Sequence, residues 1–232
     1  IQKGADGQPT LLSFSEVTTL LHEVGHALHG LFANTKYPSL SGTAVSRDYV
    51  EFPSQFLEDI ALDPAVLANY AKHHETGEPI PAELMQKVID AGDFNQGFDS
   101  AEYIASALID LDWHTLPADQ IPTDVEAFEK ASLERHGLAI NAIPPRYKST
   151  YFAHTFAGGY SAGYYAYLWA EVLAADAYSV LQQRGGLTRE NGDAVRREVF
   201  SVGNTREPME SYRAFAGRDP EVEALLKRRG LQ

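Results

Sequence analysis

The stretch Ser13–Phe32, SFSEVTTLLHEVGHALHGLF, decides how the rest of this 232-residue chain is read. Val17, Leu20, Leu21, Val24, Leu28, Leu31 and Phe32 recur at three- and four-residue intervals, the period at which side chains stack on one face of an α-helix. Ser13 stands three residues before Glu16, the spacing of a capping box. Inside this helix lies His22-Glu23-Val24-Gly25-His26. Residues four apart share a face, so both imidazoles can point at one ion while Glu23, about 100° further round, can reach a water bound to it. Random placement of 8 His and 18 Glu would give this HExxH arrangement roughly 0.02 times per chain, so coincidence is a poor account of it.

Outward from this helix the signals stay helical. The periodicity predicts a second helix from about 46 to 60, with Pro53 marking either a kink or its true start. Others are expected at about 64–71, 81–91, 99–115, 123–136, 160–183, 190–201 and 219–229, the last with Asp219-Pro220 as N-cap and first residue and Gly230 just past its end. Strand-like alternation is scarce. The expected fold is mainly α, with at most a small β-hairpin or sheet near the N-terminus, and without repeats, low-complexity tracts or a clear linker.

Composition narrows the function. With 19 Lys plus Arg against 32 Asp plus Glu, the net charge is −13, which disfavours phosphate backbones and anionic lipid; nucleic acid and membranes are not expected partners. The absence of cysteine removes thiol catalysis and Cys-ligated zinc, leaving His and carboxylates as metal ligands. The most apolar stretch, Tyr160 to Leu181, is interrupted by Glu171 and Asp176 and is not a membrane span. A chain opening at Ile1 reads as a fragment or processed product, so the lack of a leader says little about compartment.

A catalytic zinc takes three protein ligands and keeps one position open. Glu51, on the next expected helix, is the candidate third ligand; spacing alone equally allows a solvated carboxylate at a helix start. Asp48, Gln55 and Glu58 share its face and suit side chains that orient imidazole N–H groups. His29 continues the stripe of His22 and His26 and reads as a ligand, as a hydrogen-bond donor behind the ligands or as a surface residue; a further turn along the helix would usually put it too far to be a ligand. His73, His74, His114 and His136 read as surface or packing residues. Ser149-Thr150 lacks a base-and-acid pattern, and no glycine loop leads into a phosphate-binding Lys.

The segments His22–Gly30, Leu40–Thr43 and Arg47–Gln55 resemble the catalytic core of the thimet oligopeptidase family of zinc metallopeptidases. Pro144–His154 and Gly158–Trp169 resemble that family's substrate-binding segment, and Gly185–Gly192 is similar to its peptidyl-dipeptidase branch. The likeness runs through nearly all of the chain. It implies a helical, zincin-like catalytic domain over residues 1–232, the C-terminal part of a longer two-lobed protein whose N-terminal region forms the other wall of the cleft. It implies one Zn2+ per chain, held by His22, His26 and Glu51, with Glu23 as general base. Tyr167, with Tyr164 or His154, is implied to stabilise the oxyanion, although a Tyr-rich stripe read by itself is mostly core packing. Gly158, Gly159 and Tyr160 are implied to contact substrate on a mobile loop. Arg146 or Lys148 offers a cation for a substrate carboxylate.

The expected activity is therefore hydrolysis of short peptides by release of C-terminal dipeptides, in the cytoplasm by resemblance. An oligoendopeptidase of the same family and a non-catalytic, zinc-containing peptide-binding domain are the alternatives.

Overall fold

The first helix, α1 (Phe14–Leu31), is closed at its start by the capping box: the Ser13 hydroxyl accepts from the Glu16 N–H at 3.3 Å and the Glu16 carboxylate from the Ser13 N–H at 2.8 Å. This is a computed structural model describing Ile1 and Lys3–Leu231. The helix expected over 46–60 is two, α2 (Arg47–Val50) and α3 (Phe52–Ala61). Pro53 is the reason: it has no N–H to give to residue 49, and its ring collides with that carbonyl, so the chain restarts its helix with proline in the first turn. Glu51 is left at the junction.

α4 (Pro64–Tyr70), α5 (Ala82–Gly92), α6 (Gln96–His114) and α7 (Val125–Arg135) lie close to their expected positions. They are followed by the single turn α8 (Ala153–Phe156), α9 (Ala166–Gln183), α10 (Arg189–Val195), a π-helical turn at Arg196–Phe200, α11 (Pro208–Ala216) and α12 (Glu223–Arg228).

Several boundaries depart from expectation. The helix placed at 160–183 begins only at Ala166, because the backbone turns at Ala162 (φ +54) before it can coil. Asp219 does not cap α12; its carboxylate pairs with Arg213 at 2.6 Å, and the helix starts at Glu223. Gly230 does follow the end of α12 in the left-handed region, at φ +60. α11 adds to the expected helices; its buried Tyr212 and Phe215 stand three residues apart, on one face. In place of a hairpin near the N-terminus there is a turn closed by the Gln8 N–H on Ala5 O. Gly4, Gly7 and Pro9 favour such a turn over a strand. Among the described residues the one β-bridge is isolated, between Lys72 and Pro79.

The chain divides into two compact units, Ile1–Gly92 with Trp169–Gln232, and Asp93–Leu168. In the first, Tyr49, Phe52 and Phe56 from α2 and α3 pack with Leu173, Val180 and Leu181 of α9, Val199 and Phe200 of the π turn, and Tyr212 and Phe215 of α11. Ala170, Ala174 and Ala177 give α9 a flat side against which neighbours close, and this helix is buried nearly all round. Its one buried charge, Asp176, takes two bonds from Arg218 (2.6 and 2.8 Å) and one from the Tyr212 hydroxyl. The second unit centres on Ala107, Phe152 and Tyr164, with Tyr103, Tyr147 and Tyr167 around them.

Candidate metal centre

α1 and α3 meet at Gly25. A Cβ built there would lie 2.5 Å from the Ser54 Cα and 2.7 Å from the Pro53 carbonyl oxygen, so only a hydrogen fits and the two helices touch backbone to backbone. That approach carries Glu51, which is 3% exposed, to the histidine face of α1. Glu51 Oε2 stands 3.3 Å from His22 Nε2 and 3.2 Å from His26 Nε2. The two imidazoles are edge to face, with centroids 4.8 Å apart and planes at 85°. One ligand-type atom from each of the three residues lies within 4.8 Å of the other two.

Two neighbours hold this arrangement. The Ser54 hydroxyl reaches both the Glu51 carbonyl (2.8 Å) and its carboxylate (3.1 Å), fixing the side chain against the start of α3. Glu58, two turns further along α3, accepts from His22 Nδ1 at 2.6 Å. With Nδ1 committed to Glu58, Nε2 is the ring nitrogen left facing Glu51 and His26. Burial disfavours charge on His22, but the hydrogen bonds to Glu51 and Glu58 outweigh it and raise its pKa to about 9. Two carboxylates face the imidazole pair, and two imidazole nitrogens with one carboxylate are the donor set of a catalytic zinc site. The residues fit the metal that their pattern implies. Glu23 projects from the same helix and is exposed.

His29 stays outside the cluster. It is fully buried, its ring stands edge to face with Phe200 at 6.1 Å, and neither ring nitrogen has a hydrogen-bond partner. Burial and the neighbouring His26 push its pKa down to about 4, so it sits in the core as a neutral ring. A second convergence, His73, His74 and Glu75, lies on an exposed turn, where His73 Nδ1 already accepts from the N–H groups of Glu75 and Thr76.

The residues expected at the oxyanion and the substrate all fall within the second unit. His154 lies 5.5 Å from Tyr164 and 6.2 Å from Tyr167, ring to ring, and Tyr160 stacks on Tyr167 at 5.2 Å. Tyr164 is 3% exposed and packs against Phe152, and burial raises its phenol pKa; Tyr167 is half-buried. Gly158 admits no side chain, since a Cβ would meet His154 O at 2.9 Å, and Gly159 adopts φ +82. Arg146 extends its guanidinium to Glu102 at 3.3 Å and remains half-exposed. Sequence reading passed over Gly25 and Ser54. The signal for Gly25 was a glycine in the middle of a strong helix, a weakening that packing has to justify; Ser54 carried no signal.

The sequence matches peptidase family M3 over residues 1–231. It is 48% identical over 230 residues to the dipeptidyl carboxypeptidase of Escherichia coli (strain K12), covering 99% of this chain and 34% of that protein. Against the dipeptidyl carboxypeptidase of Salmonella typhimurium the identity is 47%, over 99% of this chain and 34% of the other. Against Escherichia coli oligopeptidase A it is 36%, over 98% and 33%. The chain therefore spans about a third of the length of these relatives.

Proposed function

Because the chain belongs to peptidase family M3, we propose that it hydrolyses short peptides at a single zinc ion held by His22, His26 and Glu51, releasing C-terminal dipeptides. The observation that carries this reading is the meeting of two imidazole Nε2 atoms on one buried carboxylate oxygen, at 3.3 and 3.2 Å. Zinc bound there supplies Lewis acidity, which polarises a peptide carbonyl and makes water acidic enough to deprotonate near neutral pH. Glu23 takes the proton from the attacking water and delivers it to the departing nitrogen. Glu58 holds the His22 ring in its ligating tautomer. Tyr167 donates a hydrogen bond to the developing oxyanion, a role its half-exposed position suits better than that of buried Tyr164, with His154 beside it. Gly158, Gly159 and Tyr160 line the substrate, and Arg146 exchanges Glu102 for the substrate's terminal carboxylate.

Release of dipeptides, as opposed to internal cleavage, is supported by the higher identity to the two dipeptidyl carboxypeptidases than to oligopeptidase A. In this reading residues 1–232 form the C-terminal catalytic part of a longer protein, the preceding region builds the opposite wall of the cleft, and the protein works in the cytoplasm. Among the described residues no helix is long and apolar enough to cross a membrane.

The test is mass spectrometry of the products from an N-acetylated hexapeptide with a free or an amidated C-terminus, using the full-length zinc-loaded protein and its Glu23→Gln variant. The expected result is dipeptide release from the free form alone, with kcat lowered about 10²–10⁴-fold in the variant and zinc content unchanged. Internal cuts in both forms would favour an oligoendopeptidase, and near-normal turnover by the variant would remove Glu23 as the base.

A further inference from the structure

The segment between α8 and α9 carries three glycines in six residues, and sequence reading expects it to be mobile. Its backbone is hydrogen-bonded both within the segment and to α6. Tyr160 N–H donates to His154 O at 3.0 Å, and Gly163 N–H donates to Tyr160 O at 2.8 Å, closing a turn. The third residue of that turn, Ala162, sits at φ +54, a region that a residue with a Cβ avoids. Contacts from outside the turn have to keep it there.

Asp110, on α6, makes them. Its side chain is fully buried; Oδ1 accepts the Ala162 N–H at 3.0 Å and Oδ2 accepts the Tyr164 N–H at 2.9 Å. His114, one turn along α6, places Nδ1 2.8 Å from Oδ1. Both carboxylate oxygens thus hold the two amides that flank Gly163. Tyr103, two turns earlier on α6, grips the far end: its hydroxyl donates to Tyr164 O and accepts from Leu168 N–H at 3.3 Å.

We propose that Asp110 is a positioning residue for the peptidase reaction, locking residues 162–164 so that the loop presents Tyr167 in one preset orientation. The proposal deepens the peptidase reading and rests on it for its catalytic readout. Two converging N–H groups need two acceptor oxygens. A carboxylate supplies both, whereas the amide of Asn turns an NH2 towards one of them and loses that bond at nearly unchanged volume.

The experiment compares the full-length, zinc-loaded protein with its Asp110→Asn variant by amide hydrogen exchange and steady-state kinetics. Exchange of the amides of residues 160–165 is expected to quicken at least about tenfold while α1, α3 and zinc content stay unchanged. kcat should fall roughly ten- to a hundredfold with KM within about threefold, the size expected of a misplaced catalytic group. Adding Tyr167→Phe to Asp110→Asn should then lower kcat far less than Tyr167→Phe does alone, because the hydroxyl is already out of place. Unchanged loop exchange would overturn the anchoring, and losses that multiply would overturn the link to Tyr167. If Asp110→Asn does not fold, Tyr103→Phe, which keeps the ring but removes the hydroxyl at the far end of the loop, carries the same pair of measurements. A parent protein that cleaves no peptide would defeat the peptidase reading alone, since hydrogen exchange still decides whether Asp110 holds the loop.

Discussion

Replacing Gly25 by Ala should weaken metal binding far more than it weakens the fold. The added methyl group would begin 2.5 Å from the Ser54 Cα and 2.7 Å from the Pro53 oxygen, both backbone atoms that no rotamer change can move aside. Carbon atoms settle at about 3.5–4.0 Å, so α1 and α3 must part by about 1 Å at this point. Two effects on stability oppose each other. Alanine favours a helix over glycine by about 1 kcal/mol, while forcing extra volume into a packed contact costs about 1–3 kcal/mol, leaving a net loss of about 0–2 kcal/mol. The effect on the metal has no such compensation. Ligand distances tolerate about 0.2 Å, and Glu51 caps the start of the helix that is pushed away, three residues before Ser54. Zinc affinity should fall by at least about 100-fold. Competition against a chromophoric chelator measures the first quantity and urea unfolding of metal-free protein the second. Unchanged zinc affinity together with a gain in stability would refute the backbone contact and the role given to it.

Three further outcomes follow from the same geometry. Glu58→Ala removes the acceptor of His22 Nδ1 and should lower zinc affinity about 10–100-fold, read by the same chelator competition; no change would mean that the 2.6 Å bond does not orient the ring. His29 titrates near 6.5 in the unfolded chain but at about 4 in the fold, so between these values only the unfolded chain takes up the proton. Its contribution is therefore complete above pH 6.5 and lost as pH falls towards 4, by about 3 kcal/mol. Urea unfolding across that range should show a shallower decline for His29→Leu than for the parent, without loss at pH 7, since two unsatisfied ring nitrogens are removed; parallel curves would contradict this. Arg218→Ala leaves Asp176 charged and buried beside a single phenol and should cost about 3–5 kcal/mol in chemical unfolding, a loss below about 1 kcal/mol being incompatible with the pairing.

How far the chain could be read in advance depended on how local each feature is. The capping box, the apolar stripe of α1 and the His22/His26 face are properties of about twenty consecutive residues, and they were legible there. The direction of Pro53's effect was legible too, as an open choice between kink and start, because the proline acts on its own preceding turn. What was not legible depends on partners beyond the local helical turn. Asp219 looks like a helix cap until Arg213 takes its carboxylate. α11 is short and modestly apolar, and its Tyr212 gains a partner only when its hydroxyl meets Asp176, far away in the chain. The glycines of the loop before α9 point to mobility, whereas the bonds that its Ala162 and Tyr164 amides make to the buried Asp110 on α6 leave no sign in the loop's own sequence. Gly25 and Ser54 likewise acquire meaning only once α3 is laid against α1.

The junction at Glu51 also bears on how the protein folds. His22, His26, Glu51 and Glu58 all belong to one short span of sequence carried by neighbouring helices, so bringing them together closes a loop of modest length, and the entropy of closure grows only with the logarithm of that length. The ligand set has a low contact order. A chain in which α1 and α3 have paired already holds every donor of the proposed centre, before α9 and α11 have docked. A cation present during refolding can then act as an early template, and the rate of refolding, as well as the final stability, should respond to it.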